Sequence, residues 1–266
     1  MKTAKSKKEL RHDRILYALD GNPTLRVNQL ADQLGVSNET VRRDLTELDR
    51  LGRLARTYGG AVSAMNRFEP ALNERLTLHN AERRAIARCA VEQYAREEAL
   101  LLGGGATMIH FARELRDIDH RLTVVTPCYP IAVELAGNPL IDVMLLPGLF
   151  ELQEGIVCGP ETIRALDRYR APIAIMGASG VSADGVSEAM LGVGEVYSAM
   201  LRISERGVVL ADRTKFDKRA LILLSGWSRQ MSLITDRQPN QDLAEALEEG
   251  GASLTVVDPD DRTAAE

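Results

Sequence analysis

Aromatic side chains are scarce in this sequence: one Trp, six Tyr and four Phe make up only 4% of its 266 residues. Aliphatic residues must therefore supply the core, and a hydrophobic fraction of 45% beside 27% charged residues belongs to a folded chain rather than a polar disordered one. Cysteine is scarcer still. Cys89, Cys128 and Cys158 stand far apart, form no Cys-x-x-Cys pair and have no His spaced to complete a zinc site, so they are read as reduced core thiols and no metal is expected. No run of 18 or more apolar residues occurs, and the basic N-terminus leads into no apolar signal segment. Membrane insertion and export are therefore not expected, and the expected location is the cytoplasm.

What the chain has in excess is negative charge, with a formal net of −5, but that charge is unevenly spread. Residues 1–62 carry 12 Lys and Arg against 8 Asp and Glu, while the remainder carries 21 against 30. A small basic module followed by a large acidic body suits a DNA-binding head on a body that avoids the phosphate backbone. The length also fits two domains. We divide the chain into a head (1–62), a linker (63–80), an α/β body (81–258) and a tail (259–266).

Within the head, Leu10, Ile15, Leu16 and Leu19 lie near helical spacing and end at the turn cluster Asp20-Gly21-Asn22-Pro23. Val27, Leu30, Ala31 and Leu34 repeat the pattern before Gly35. Ser37 is a good N-cap for a third helix whose apolar face is Val41, Leu45 and Leu48. That face leaves Glu39, Arg43, Thr46 and Arg50 on the other side, flanked by Arg42 and Glu47. The following stretch from Gly52 alternates apolar and basic residues and closes on Gly59-Gly60, as a small hairpin would. Three short helices and a basic hairpin form a winged helix-turn-helix.

From Ala81 onward the wiring is that of an α/β domain. "ALLLGGG", "LTVVTP", "IDVMLLPG", "APIAIMGASG", "GVVLAD", "MSLITD" and "ASLTVVD" are short apolar runs without alternation, as expected of central strands covered on both faces. The loop Gly103-Gly104-Gly105-Ala106-Thr107-Met108 joins a strand to a helical pattern, where backbone N–H groups can cradle an anion; a plain tight turn is the alternative. It is no dinucleotide fingerprint, since Met108 stands where the third glycine belongs, and no cofactor is expected.

The run "VSNETVRRDL" at Val36 to Leu45, followed by "GRLARTYGGA" at Gly52 to Ala61, resembles the head of the DeoR family of transcription regulators. The resemblance continues at lower specificity through "ERRAIARCA", "VVTPCYPIA", "MGASGVSADG" and "LADRTKF". It implies a Rossmann-like α/β effector domain similar to ribose-5-phosphate isomerase, sensing a sugar phosphate or related metabolite. For the head it points to Ser37, Asn38, Glu39, Thr40, Arg42 and Arg43 on the recognition helix, and to Arg53, Arg56 and Thr57 on the wing, as the DNA-contacting set. Ser37, Thr40 and the helix N-terminus suit phosphate oxygens, and the two arginines suit phosphates or base edges. Taken alone, Arg42-Arg43-Asp44 would read as a solvated face.

The effector set expected from the body is Gly103, Gly104, Gly105, Ala106 and Thr107, with Thr126, Gly177, Ala178, Asp184, Gly185, Glu188, Asp212 and Lys215. Lys215 suits a phosphate and the carboxylates suit sugar hydroxyls, although Asp212 and Lys215 could be a surface ion pair and Glu188 a helix cap. Relative to the family, this chain has Gly105-Ala106-Thr107-Met108 in place of a Gly-Thr run, Thr126-Pro127-Cys128 in place of Thr-Asn-Ser, and Tyr197 in place of a Lys. Those changes remove polar groups from the expected phosphate site.

The function expected is a DNA-binding repressor of a carbohydrate operon, acting as a homodimer or homotetramer on double-stranded operator DNA and modulated by a small-molecule effector. It is not expected to be an enzyme. The competing reading is an isomerase-like enzyme with a basic appendage, using Asp184, Glu188 or Asp212 as general base.

Overall fold

The computed structural model describes residues 8, 10–12, 14, 15, 18, 25, 27–50, 55–57, 60–62 and 72–259. Residues 8, 10–12, 14, 15 and 18 are helical, ahead of helix α1 (Val27–Leu34) and helix α2 (Asn38–Arg50). Gly35, at φ +65°, makes the left-handed turn that ends α1, and the Val36 N–H reaches back to the Ala31 carbonyl at 3.1 Å. Ser37 then caps α2, its Oγ accepting the Thr40 N–H at 3.2 Å. Ile15, Leu25, Leu30, Ala31, Val41, Leu45 and Leu48 close over one another as the head's core. Strands β1 (Ala55–Thr57) and β2 (Gly60–Val62) pair antiparallel, which is the hairpin expected from the glycine-tipped sequence. The Asp20–Pro23 turn and Arg53 lie outside the described residues.

Asp44 departs from the solvated-face reading of the arginine run. It is only 3% exposed and accepts from Arg11 Nε at 2.5 Å and Nη2 at 3.1 Å, with His12 Nε2 at 3.1 Å from the same carboxylate. The reason is angular: Asp44 follows Val41 by three residues and precedes Leu48 by four, so it shares their buried face while Arg42 and Arg43 stay in solvent. Burial alone would raise its pKa, but the hydrogen bonds and charges of Arg11 and His12 outweigh it and hold the carboxyl below its usual range.

Part of the expected linker is built into the body. Helix α3 (Leu72–Arg75) seats Leu72 in the core of the α/β domain, and helix α4 (Asn80–Tyr94) begins before residue 81. One helical turn is too short to show a sequence period, which is why 72–80 read as linker. Residues 63–71 and 260–266 lie outside the description.

The body's main sheet uses all seven apolar runs, as strands β3 (Ala99–Leu102), β4 (Leu122–Thr126), β5 (Ile141–Leu145), β8 (Ala171–Met176), β11 (Ser204–Leu210), β13 (Met231–Thr235) and β14 (Ser253–Val256). They lie all parallel in the order β14-β13-β11-β8-β3-β4-β5. Helices α5 (Ala106–Leu115) and α6 (Tyr129–Leu135) carry the chain from β3 to β4 to β5. The short helix α7 (Pro160–Leu166) precedes β8, helix α8 (Leu191–Ile203) leads into β11, and helix α9 (Gln241–Gly250) joins β13 to β14. Because the chain steps one way from β3 and the other way from β8, right-handed crossovers put the two groups of helices on opposite faces. Two small antiparallel pieces flank the strand ends: the hairpin β6 (Leu149–Glu151) with β7 (Ile156–Cys158), and the sheet β12-β10-β9, where β9 is Gly180–Ser182, β10 is Gly185–Glu188 and β12 is Ile222–Ser225.

Removing the buried carboxylate as Asp44→Ala should lower stability by roughly 2–3 kcal/mol, somewhat less than a fully buried pair because Arg11 is partly exposed. Urea unfolding at pH 7 measures it. Since the folded-state pKa is lowered, the difference between parent and variant is full at neutral pH and shrinks as pH falls through the carboxylate range.

Candidate functional site

Strands β3 and β8 are neighbours at the centre of the sheet, and the loops leaving their C-terminal ends diverge to opposite faces. This topological switch point opens a crevice there. The crevice is a pocket of about 410 Å³, lined by Gly104, Gly105, Ala106 and Thr107 from the first loop and Gly177, Ala178 and Ser179 from the second. Arg75, Arg83, Gln153, Glu154, Glu188, Tyr197 and Lys215 form its polar walls.

The glycine loop meets much of its own hydrogen-bonding demand inside the protein. Gly103 N–H donates to the Ile175 carbonyl at 2.8 Å, as part of the sheet. Gly104 N–H donates to the Tyr197 hydroxyl at 2.6 Å, and Tyr197, on α8, is 3% exposed. Burial raises the phenol well above its usual value, so it is neutral and able to accept. Cys128 Sγ faces the backbone of Gly105, and burial pushes that thiol up to about 11. Gly105, at φ +107°, swings the chain into α5, whose first residues Ala106 and Thr107 face the pocket.

Arg83 follows from the sequence period of α4, where it shares a face with the buried Ile86, Ala87, Ala90 and Tyr94. A charge on that face needs a partner. Arg83 Nε donates to Asp212 Oδ2 at 2.9 Å, and its Nη1 donates to the Arg75 carbonyl. Asp212 Oδ1 accepts the Thr214 N–H at 3.0 Å, and the Thr214 hydroxyl as well. Burial alone would raise the Asp212 pKa; Thr214 and Arg83 outweigh it and leave it lowered. Lys215 follows on the same short 3-10 turn, 8% exposed, its pKa pulled down to about 7 by burial and secondarily by Lys218. Arg75 pairs with Glu154 on the loop between β6 and β7. Glu188 Oε1 accepts Ser179 Oγ at 2.9 Å, Ala189 N–H at 2.8 Å and Met190 N–H at 3.1 Å, while burial raises its pKa.

Of the expected effector set, Gly104, Gly105, Ala106, Thr107, Gly177, Ala178, Glu188 and Lys215 come together around this pocket, whereas Gly103, Thr126, Asp184, Gly185 and Asp212 do not line it. Thr126 is spent on the loop, donating to the Leu102 carbonyl at 2.7 Å and accepting the Cys128 N–H at 3.0 Å. Asp184 sits in the exposed turn between β9 and β10, 2.9 Å from Arg219, with Gly185 beside it. Asp212 stands behind the wall, committed to Arg83 and Thr214. Arg75, Arg83, Gln153, Glu154 and Ser179 are the polar lining groups that sequence reasoning missed; the signal available was Arg83, a charged residue on the apolar face of α4.

In the head, Ser37, Asn38, Glu39, Arg42 and Arg43 are exposed and Thr40 partly so, along the first two turns of α2. Arg43 Nε lies 3.4 Å from Glu39, and Thr46 Oγ1 donates to the Arg42 carbonyl at 2.8 Å. Arg56 and Thr57 are on strand β1. Among the described residues no cluster of His, Cys, Asp and Glu is arranged to hold a metal, and no helix is long and apolar enough to cross a membrane.

Residues 11–67 match the DeoR-like helix-turn-helix domain, and residues 78–237 match the DeoR C terminal sensor domain. The chain belongs to the DeoR family. This DeoR-family chain is similar to the HTH-type transcriptional repressor CsqR of Escherichia coli (strain K12), at 26% identity over 94% of the chain and 96% of the relative. It is similar also to the HTH-type transcriptional repressor GlcR of Bacillus subtilis (strain 168), at 28% identity over 93% and 95%. The lactose phosphotransferase system repressor of Lactococcus lactis subsp. lactis matches at 27% identity over 95% and 99%. Ribose 5 phosphate isomerase A from Neisseria gonorrhoeae aligns over 52% of the chain and 53% of its own at 20% identity and a TM-score of 0.39.

Tyr197→Phe leaves the buried Gly104 N–H without its acceptor and should cost about 1–3 kcal/mol of stability. Chemical denaturation checks this, and a variant as stable as the parent would mean the N–H finds another acceptor.

Proposed function

We propose that this DeoR-family protein is a transcriptional repressor of a sugar-linked operon, reading operator DNA with its head and sensing a small anionic, sugar-derived ligand in the switch-point pocket. The observation that carries the proposal is the coexistence of two parts in one chain. One is a Ser37-capped helix presenting Arg42 and Arg43 to solvent beside a short hairpin; the other is a partly cationic pocket at the strand ends. Relatives named as repressors, one of them of a lactose phosphotransferase system, support the same reading.

On this reading Ser37 and Thr40 meet phosphate oxygens, Asn38, Glu39, Arg42 and Arg43 meet phosphates and base edges, and Arg53, Arg56 and Thr57 place the hairpin in a neighbouring groove. A symmetric operator calls for two heads, so the working unit is a homodimer or homotetramer. In the pocket, the N–H groups of Ala106 and Thr107 and the Lys215 ammonium receive the anionic group, and Glu188 accepts from hydroxyls. A regulator is favoured over an isomerase because two of the three carboxylates suggested as bases do not reach the pocket: Asp184 lies away from it, paired with Arg219, and Asp212 is held by Arg83 and Thr214.

Three experiments test the proposal. A gel shift with the DNA upstream of the protein's own gene should lose binding by at least about tenfold in Arg42→Ala/Arg43→Ala, with the melting profile unchanged; equal affinity would remove the head assignment. A thermal-shift screen of sugar phosphates, free sugars and sugar acids should give the largest rise with a phosphorylated compound. With Lys215 near pH 7 in the unliganded protein, an anion that raises its pKa makes binding at pH 8 take up about one proton or less. Calorimetry in buffers of different ionisation enthalpy reads that uptake. A response confined to uncharged sugars would overturn the anionic reading.

A further inference from the structure

On the outer side of helices α4 and α5, away from the switch-point pocket, a second cleft of about 450 Å³ is lined by Arg84, Arg88, His110, Arg113, Glu114, Arg116 and Asp117. Four guanidinium groups thus converge on one place in a body whose overall charge is acidic. Arg84 and Arg88 stand four residues apart on α4, a like-charge spacing that weakens a helix unless an anion lies over it. Arg113 and Arg116 already have a carboxylate, Glu134 on α6, at 3.5 Å and 2.5 Å, and Arg116 also lies 3.6 Å from Asp117. Among the described residues, Arg84 and Arg88 have no such partner.

The buried edge of the cleft is underused in the same way. His110 is 5% exposed, and its Nε2 has no hydrogen-bond partner; the Arg88 Nε is likewise buried without one. Both nitrogens can donate, and a planar guanidinium beside an imidazole N–H is a set that suits the oxygens of a tetrahedral dianion. The charges sharing the cleft with His110 are Arg84 and Arg88 from α4, Arg113 and Glu114 from its own helix, and Arg116 and Asp117 from the turn after it; Arg83 of α4 also acts on the ring, and Glu134 of α6 is paired with Arg113 and Arg116. Burial first, then Arg113, Arg83 and Arg84, push its pKa down to about 4, so the ring is neutral at pH 7.

We propose that this cleft is a second anion site, distinct from the switch-point pocket, that takes a phosphate group, either as inorganic phosphate or as a phosphate monoester, on Arg84, Arg88 and the His110 Nε2–H. A bound dianion offsets the guanidinium charges around the imidazole and raises the His110 pKa toward its ordinary value.

The chain has four histidines, so the imidazole signals of the full-length protein are resolvable by NMR and His110 is assigned by its loss in His110→Gln. Inorganic phosphate titrated at pH 7 and constant ionic strength should shift the His110 ring signal saturably, raise its titration midpoint, and do the same in a Lys215→Met background. Arg84→Gln/Arg88→Gln should weaken the response by at least about tenfold, and Arg84→Lys/Arg88→Lys, which keeps charge but loses the fork, should fall between. Phosphate and a sugar phosphate are titrated separately; tighter binding of either identifies the source and supports the site. The proposal is overturned if acetate gives the same shift as phosphate, if the Gln variants respond like the parent, or if Lys215→Met abolishes the response. It is equally overturned if operator DNA shifts His110 and phosphate does not, which would assign the arginines to the DNA backbone.

Discussion

The buried ion pair between Arg83 and Asp212 is the contact on which the geometry of the switch-point pocket depends. Dehydrating two such charges costs several kcal/mol each, and a well-packed apolar pair in the same place would be as stable or more so. An apolar pair has no direction, however, whereas the hydrogen bonds of this one do. Arg83 reaches Asp212 with one edge of its fork and the carbonyl of Arg75 with the other, while the second oxygen of Asp212 closes the turn that begins at Arg213. Arg75 and Lys215, far apart in the sequence, are thereby positioned against a common reference. The two residues of the pair are 129 positions apart, so the contact also ties helix α4 to the turn just after β11.

A second constraint acts on the glycine loop. A strand-to-helix loop of this kind offers a ligand its unpaired N–H groups, yet here the Gly104 N–H is taken by Tyr197 and the backbone of Gly105 faces Cys128. Positive charge at the pocket comes instead from Lys215, Arg83 and Arg75, on segments that flank the loop. The polar groups that the sequence comparison with the family counted as lost are therefore partly replaced. The replacements come from residues with no fixed spacing to the loop, and Arg75 and Arg83 are already paired, so a ligand has to compete for them.

The sheet was legible because each parallel strand is a short apolar run bounded by turn residues, and all seven runs became strands. The head was legible for a different reason: Gly35, Ser37 and the arginine pair sit at fixed offsets along one continuous helix-turn-helix. What escaped notice was non-local. Arg75 and Glu154 meet across 79 residues, and neither sits in a run that marks it. The solvated-face alternative for Arg42-Arg43-Asp44 fails at Asp44 because it weighs charge before helix angle, although Val41 and Leu48 already place that residue inward. Asp212 is a ligand candidate for lying just after a strand, and Asp184 for flanking Gly185 in a loop of small residues. A strand end fixes a position to within a few ångströms but not the direction of the side chain, and both carboxylates turned out to have arginine partners.

Arg75 also bears on how a ligand could act at a distance. A ligand shifts a conformational equilibrium only by the difference in its affinity for the two states, so the pocket must contain a group whose place differs between them. Helix α3 is the first described element after the hairpin, and its Arg75 side chain lines the pocket while its carbonyl is held by Arg83. An anion drawn to Arg75 competes with Glu154, whose pKa burial already raises, so that carboxylate can give way by taking up a proton instead of remaining charged and unpaired.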